Sequence, residues 1–271
     1  MENRLSQITQ KILGSYKQVV GLHNTRGLPS KMALAVICED LLRILFPGFY
    51  HESAICEESL YESTLTRVGN VARLLGHEIS KSFHLERPSS QTRAAEDILC
   101  NFLSSLPQIR EILSTDIQSA YEGDPAALSF EEIVLSYPFL EAIAIQRLAH
   151  LLYQDKVQLL PRMMTEWAHS RSGIDIHPGA VIGPHFFIDH GTGVVIGETC
   201  RIGEGVKLYH GVTLGARSLQ KDLHDKIVKG AKRHPDVQNG VTIYPNSTIL
   251  GGETTIGEQS TIGANVFLTQ S

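Results

Sequence analysis

The sequence predicts an α+β fold. An all-helical N-terminal domain over residues 1–170 is followed, over 171–271, by a left-handed parallel β-helix of six-residue repeats with one long extruded loop at 216–240. Three observations carry this expectation. Apolar residues recur every three or four positions in the first half, aliphatic residues recur every six in the second, and the six-residue period lapses between Leu214 and Ile243.

In the first half, Leu5, Ile8, Ile12, Leu13, Tyr16, Val19 and Val20 form the stripe of an amphipathic helix beginning at Glu2. The same spacing predicts helices over 31–46, 60–84, 92–105, 108–121, 129–136, 138–154 and 159–170. Pro29, Pro107, Pro138 and Pro161 stand where a proline starts or interrupts a helix, and Ser129 with Glu132 fits a capping box. This half shows no metal-ligand spacing and no phosphate loop, and it reads as a packing or oligomerisation domain.

After Ser172 the aliphatic positions are Ile176, Ile182, Ile188, Ile196, Ile202, Leu208 and Leu214, then Ile243, Ile249, Ile256, Ile262 and Leu268. Two steps depart from six, an eight between 188 and 196 and a seven between 249 and 256. Glycine follows the aliphatic residue at 183, 197, 203, 215, 257 and 263, and a mostly small residue precedes it by two, as at Ala180, Cys200 and Ser247. Three short strands per coil explain the pattern: one inward aliphatic side chain per strand fills a triangular core, and glycine allows the corner angles. The stretch after Leu214 cannot continue the hexads and is expected to leave the coil as a loop. A loop this long in a compact domain is usually functional or disordered.

The chain has 271 residues, 42% of them apolar, enough for a sizeable core in one or two domains. Its formal charge of −5 gives no concentration of Lys and Arg that would favour nucleic acid or an anionic membrane. The N-terminal MENRLSQITQ lacks the cationic start and apolar run of a signal peptide, and no stretch approaches the roughly 18 apolar residues of a membrane span. A cytoplasmic protein is expected. Cys38, Cys56, Cys100 and Cys200 are far apart with no CxxC pair, so they read as reduced thiols, Cys200 at an inward repeat position.

Histidine gathers in the second half, and three positions have a suggestive context. His190 follows Asp189 just before the eight-residue step, where a strand runs into a widened corner. A coil is about eighteen residues, so Asp175 falls near the same edge one coil away. A carboxylate on one imidazole nitrogen would leave the other free to take a proton from a hydroxyl. A site between subunits of a trimer is the alternative to that pairing. Arg233 and His234 end the long loop, whose residues 217–233 hold six Lys or Arg against Asp222 and Asp225. That is either a solvated loop or an anion site in which Arg233 grips a carboxylate.

In order along the chain, DIHPGAVIG, IDHGTGVVIGET, HGVTLGA and KRHPD resemble the motifs of the serine acetyltransferases of cysteine biosynthesis. The resemblance is strong over 175–268 and extends into the helical half through DIQSAYEGDPA at 116–126. It implies transfer of an acetyl group from acetyl-CoA, as co-substrate, to the hydroxyl of L-serine, giving O-acetyl-L-serine and CoA, with no metal. It also implies a homotrimer doubled into a hexamer through the helical domains, and often inhibition by cysteine at the serine site. Carried over by position, the resemblance implies His190 as the general base and Asp175 as the carboxylate that orients it. It further implies that Asp124 and Asp189 hold the serine ammonium, Arg233 its carboxylate, and that His234 meets its hydroxyl, with Glu198 an acidic neighbour. Gly215, Ala216, Pro245 and Ala264 match the small residues along which the family's acetyl-CoA arm runs.

Three features depart from the family pattern. The loop before Arg233 is longer than in the short family form, and Tyr244-Pro245 stands where Gly-Ala is usual. The sequence stops at Ser271 in mid-repeat, before the tail by which many members bind O-acetylserine sulfhydrylase, so it gives that partner no support. The alternatives are a β-helix acetyltransferase for another hydroxyl or amine, a zinc lyase of the γ-class carbonic anhydrase kind, whose three-histidine pattern His177, His190 and His210 do not reproduce, and a non-catalytic trimeric spacer. Asp124 and the helical half speak against the first, and the DH and RHP motifs against the last.

Overall fold

A computed structural model describes residues 1–16, 27–50, 57–83, 95–217, 228 and 230–271. Cys56, the expected helix ends at 84 and 92–94, and most of the basic loop, including Asp222, His224 and Asp225, lie outside them. Eight helices come first among the described residues: α1 (Glu2–Tyr16), α2 (Lys31–Leu45), α3 (Glu57–Phe83), α4 (Ala95–Ser104), α5 (Leu106–Gly123), α6 (Phe130–Ser136), α7 (Pro138–Gln154) and α8 (Leu160–Ser172). Local chemistry sets their ends. Ser30 Oγ accepts from Ala33 N–H at the start of α2, and Ser129 Oγ accepts from Glu132 N–H at the start of α6. Prolines open α5, α7 and α8, and Gly173 closes α8 in the left-handed region at φ 72°. The stripe of α1 remains exposed in the single chain at Leu5, Ile8, Ile12, Leu13 and Tyr16.

Thirteen short strands follow among the described residues: β1 (Asp175–Ile176), β2 (Val181–Ile182), β3 (Phe187–Asp189), β4 (Val195–Ile196), β5 (Arg201–Ile202), β6 (Lys207–Tyr209), β7 (Thr213–Gly215), β8 (Asp236–Val237), β9 (Thr242–Ile243), β10 (Thr248–Leu250), β11 (Thr255–Ile256), β12 (Thr261–Ile262) and β13 (Phe267–Leu268). They pair in parallel in three sheets, here termed A (β1-β4-β7-β10-β13), B (β2-β5-β8-β11) and C (β3-β6-β9-β12). This is the expected left-handed β-helix. The inward residues stack coil upon coil, with Ile176, Ile196, Leu214 and Ile249 all buried in sheet A and in register.

One boundary is corrected. The excursion expected to run through residue 240 rejoins the coil at β8, where Val237 is buried and pairs with Ile202 and Ile256. Val237 stands six before Ile243, but Gln238 follows it where glycine follows half of the inward residues, and the loop feeds straight into the strand. The eight-residue step is the corner Gly191-Thr192-Gly193, with φ of 84° at Gly191 and 78° at Gly193.

A buried ion pair joins the two halves. Arg147 on α7 donates from Nε and Nη2 to the Asp116 carboxylate on α5, at 3.0 Å each, and from Nη1 and Nη2 to the carbonyls of Ile182 and Gly183, at 2.9 and 2.8 Å. Asp116 also accepts from Phe186 N–H at 2.9 Å. The two side chains are 6% and 0% exposed, and burial pushes the Asp116 carboxyl up to about 6 even though Arg147 pulls it down. Because every polar atom of the pair has a partner, its removal is more costly than its presence is helpful. Arg147→Met leaves a buried, unpaired carboxylate and is expected to lower stability by about 3–5 kcal/mol. Urea denaturation measures this, and Asp116→Asn in the same chain is expected to restore part of the loss; a single-variant loss below about 1 kcal/mol would contradict the role assigned to the pair.

Candidate active site

Two clusters of polar side chains form along the β-helix, on the two edges that flank sheet A. The first is the edge between sheets C and A. His190 sits in the widened corner at φ 61°, a left-handed conformation that costs a non-glycine residue ~1–2 kcal/mol, and its side chain is 71% exposed. Its Nε2 is 3.7 Å from Asp189 Oδ1. Lys207, on the next coil, reaches Asp189 at 3.6 Å, donates to the Gly123 carbonyl at 2.7 Å and lies over the rings of Phe187 and Tyr209. That bond fastens the end of α5 to the coil, and the next residue is Asp124. The Asp124 carboxylate accepts from Tyr137 Oη at 2.6 Å and Ala126 N–H at 2.8 Å, and these two bonds hold its pKa below the usual range. Asp124, Asp189 and His190 are thus brought together.

The second cluster lies on the edge between sheets A and B. Glu198 accepts from Tyr153 Oη at 2.7 Å and from Arg233 Nη2 at 2.5 Å. Burial by itself would raise the Glu198 carboxyl, but these bonds outweigh it and hold the group low, while burial and Glu198 push the Tyr153 phenol up to about 12. Thr199 fixes the end of the loop: its Oγ1 accepts from the N–H groups of Arg233 and His234 at 3.0 and 3.1 Å, and its own N–H donates to His234 Nδ1 at 3.0 Å. Nδ1 is therefore the bare nitrogen and the proton sits on Nε2. The ring packs on Gly197, where a Cβ would come within 2.1 Å of it, so only glycine fits. Burial first, and Arg233 second, press the His234 pKa down to about 4. Beside these residues a cleft of about 460 Å³ is lined by Tyr153, Arg162, His177 and Glu198.

Asp175 does not meet His190 within the chain. It lies on sheet A opposite Val195, and its carboxylate is held by Arg162 Nη1 at 3.1 Å. The one-coil spacing placed the two residues correctly in height but ignored that they project from different parts of the triangle. Arg162 also pairs with Glu166, so the trio Glu166, His169 and Asp175, whose ligand atoms lie within 4.8 Å of one another, already holds a guanidinium. The histidines weighed for a zinc site divide as well: His190 and His210 share one edge, and His177 lies on the other, its Nδ1 accepting from Gly179 N–H. Gly215 and Ala216 fall on the A/B edge, and Pro245 and Ala264 on the C/A edge.

The serine acetyltransferase N-terminal family model matches residues 50–157. A plasmid-encoded serine acetyltransferase of Synechococcus elongatus is 42% identical over 253 residues, covering 90% of this chain and 79% of that protein. The chain belongs to the serine acetyltransferase family. By that membership it is an acyltransferase. The serine acetyltransferase of Bacillus subtilis is 44% identical over 153 residues, 56% of this chain and 66% of its own length. Among solved structures, isoform 3 of Entamoeba histolytica in complex with cysteine superposes with a TM-score of 0.75 at 37% identity, covering all of this chain and 89% of its own. The Neisseria gonorrhoeae enzyme in complex with serine gives 0.56 at 28% identity, covering 88% of this chain and 90% of its own.

Sequence reasoning missed Tyr137, Tyr153, Arg162, Thr199 and Lys207. Most of their partners are distant in sequence, as with Lys207 and Gly123, 84 residues apart, so no local spacing announces them. Only Thr199, inside the GET of a recognised motif, carried a signal.

The depressed His234 pKa has a consequence for stability. Between pH 6.5 and about 4 the unfolded chain binds a proton at this residue that the folded chain refuses, so stability falls as pH falls through that window. The urea midpoint is expected to drop across it, and more shallowly in His234→Asn, which keeps an acceptor for the Thr199 N–H. Equal slopes in the two proteins would refute the assignment.

Proposed function

We propose that this chain is a serine O-acetyltransferase, moving acetyl from acetyl-CoA to the hydroxyl of L-serine, and that its active sites lie between neighbouring copies of a trimer. The observation that carries the reading is the division of the polar machinery between the two edges of one face. Asp124, Asp189 and His190 offer carboxylates and an imidazole on the C/A edge, while Arg233, His234 and Glu198 offer a guanidinium and a second imidazole on the A/B edge. Three copies arranged with sheet A toward a common axis bring each C/A edge against the next copy's A/B edge. The outward side chains of sheet A suit such a face, with Val195 37% and Phe267 70% exposed. An amino acid in that seam finds acidic partners for its ammonium, Arg233 for its carboxylate and His190 for its hydroxyl. Asp175, on the same face, is then available to orient His190 of a neighbour. Gly215 and Ala216 on one edge and Pro245 and Ala264 on the other line the acetyl-CoA arm along the same seam. Pairing of two trimers through the helical domains completes the assembly we propose.

In the reaction His190 takes the hydroxyl proton as Oγ attacks the thioester carbon. The carbonyl electrons move to oxygen, and collapse of that intermediate expels the CoA thiolate, which recovers the proton from His190. Positioning of both reactants in a seam supplies much of the acceleration. Relatives solved with serine and with cysteine support an amino-acid acceptor.

Thiol release from acetyl-CoA is expected to depend on L-serine and to fall by about 10²–10⁴-fold in His190→Ala. Turnover without serine, or an active His190→Ala protein, would sink the assignment. Subunit mixing tests the shared seam. His190→Ala and Arg233→Ala are each expected to be nearly inactive alone, yet co-expressed they regain activity, because about a quarter of the interfaces in random trimers join two intact edges. Mixed trimers as inactive as the parents would place the site within one chain.

A further inference from the structure

A lysine stands among the carboxylates of the C/A edge. In the register of β3 and β6, Lys207 pairs with Phe187 and Tyr209 with Asp189, and all four alternate with the inward Ile188 and Leu208. The Lys207 side chain leans along its strand to the diagonal neighbour: Nζ is 3.6 Å from Asp189 Oδ2 and donates to the Gly123 carbonyl at 2.7 Å. Its place is over-determined. Nζ lies 5.1 Å from the ring centroid of Phe187 and 4.6 Å from that of Tyr209. Phe187 is buried and braced edge-on by Phe139, and Tyr209 is stacked on Tyr244. A lysine held by a carbonyl, a carboxylate and two ring faces has little of the freedom of a surface lysine.

The charges of this group can be counted. The two oxygens of Asp189 have different neighbours, His190 Nε2 at Oδ1 and Lys207 at Oδ2. Asp124 is anionic as well, its carboxyl held low by Tyr137, by Ala126 N–H and, behind them, by the charge of Lys207. Two carboxylates and one ammonium leave one negative charge, the complement of a single substrate ammonium. A fixed cation in the group also acts on the rest of the acceptor. It repels any ammonium that enters and attracts a carboxylate carried on the same carbon. A zwitterion thereby offsets part of the repulsion, and a cationic amino alcohol does not. Preference is a difference of free energies, so a residue that penalises the wrong ligand contributes as much as one that grips the right one.

We infer that Lys207 sets the acceptor preference of the C/A edge: by neutralising Asp189 and fixing Gly123, and with it Asp124, it makes the seam take a zwitterionic amino acid over a cationic amino alcohol. This deepens the reading of Asp124 and Asp189 as the ammonium site and rests on it. Lys207 acts through those two carboxylates and is a positioning residue. Arg233 of the opposite edge grips the carboxylate, and Lys207 disfavours the acceptor that lacks one.

The test compares L-serine with L-serinamide, which keeps the ammonium and the hydroxyl and carries a neutral amide in place of the carboxylate. Steady-state kinetics at saturating acetyl-CoA are measured for the parent chain, Lys207→Arg, Lys207→Gln and Lys207→Met. Gln keeps an N–H for the Gly123 carbonyl without the charge, and Met keeps neither. In the Gln and Met variants the ratio of kcat/KM for L-serine to that for L-serinamide is expected to fall by about tenfold. The change is expected in KM for the acceptor, with KM for acetyl-CoA within about threefold of the parent. Lys207→Arg, which keeps the charge, is expected to hold the ratio within about threefold. A purely structural role would lower both acceptors together and leave the ratio where it was. A ratio unmoved in Lys207→Gln, L-serinamide still not turned over by that variant, or a fall in Lys207→Arg as large as in Lys207→Gln would overturn the inference. If the parent depends on L-serine and His190→Ala is inactive while the ratio stays unmoved, only the role of Lys207 fails; a parent that does not use L-serine takes the inference down together with the reading beneath it.

Discussion

In-register parallel pairing is the constraint on which the rest of the molecule depends. Each inward aliphatic residue sits directly over its counterpart one coil below, as Ile188 does with Leu208 and Leu208 with Ile243. A position counted from those residues therefore has a fixed place on the prism, whatever the side chain. Edges become ladders, and residues far apart in sequence become neighbours spaced by one strand separation, about 4.8 Å. Chemistry can then be placed by substitution at a corner without disturbing the core, which is why the repeat tolerates His190, His210 and Pro245 at one equivalent position.

The helical half contributes position as well as bulk. Arg147 and Asp116 satisfy the carbonyls and an N–H of the coil at residues 182–186, and Lys207 answers from the other side by binding the last carbonyl of α5. Between these fastenings α5 can deliver Asp124 only to the edge where Asp189 and His190 lie. Such charged contacts are costly to desolvate and add little stability for their number, so their value is geometric: a misplaced helix would strand a buried carboxylate or guanidinium.

The two edges also differ in electrostatic character. On the C/A edge, Tyr137 and Ala126 hold Asp124 ionised, which suits a cation. On the A/B edge, His234 is kept neutral by burial and Arg233, and Thr199 fixes its tautomer, so it presents a fixed donor beside a guanidinium, which suits an anion. Neither edge alone complements a zwitterion. In the trimer we propose, opposite edges pair across a rotation axis and supply that complementarity, and burial of both edges would also shield the reacting groups from water.

Periodicity by itself determined the architecture, because a core filled by one aliphatic side chain every six residues has few other solutions, and the helical stripes before it were equally plain. Motif order determined the family, and with it the residues to watch: the DH of 189–190 and the RH of 233–234 both fall where the coil departs from its repeat. Val237 escaped because it follows directly on the long loop and Gln238, not glycine, comes after it, although its side chain is buried like the other rungs. Only the tertiary structure decided which of these residues share an edge. It separated Asp175 from His190, gave Asp175 to Arg162, and brought in Tyr137, Tyr153 and Lys207 from distant parts of the chain. The physical reason is that spacing along a coil sets height, whereas the direction of a side chain is set by which face of the prism its strand occupies and by what the helices pack against it.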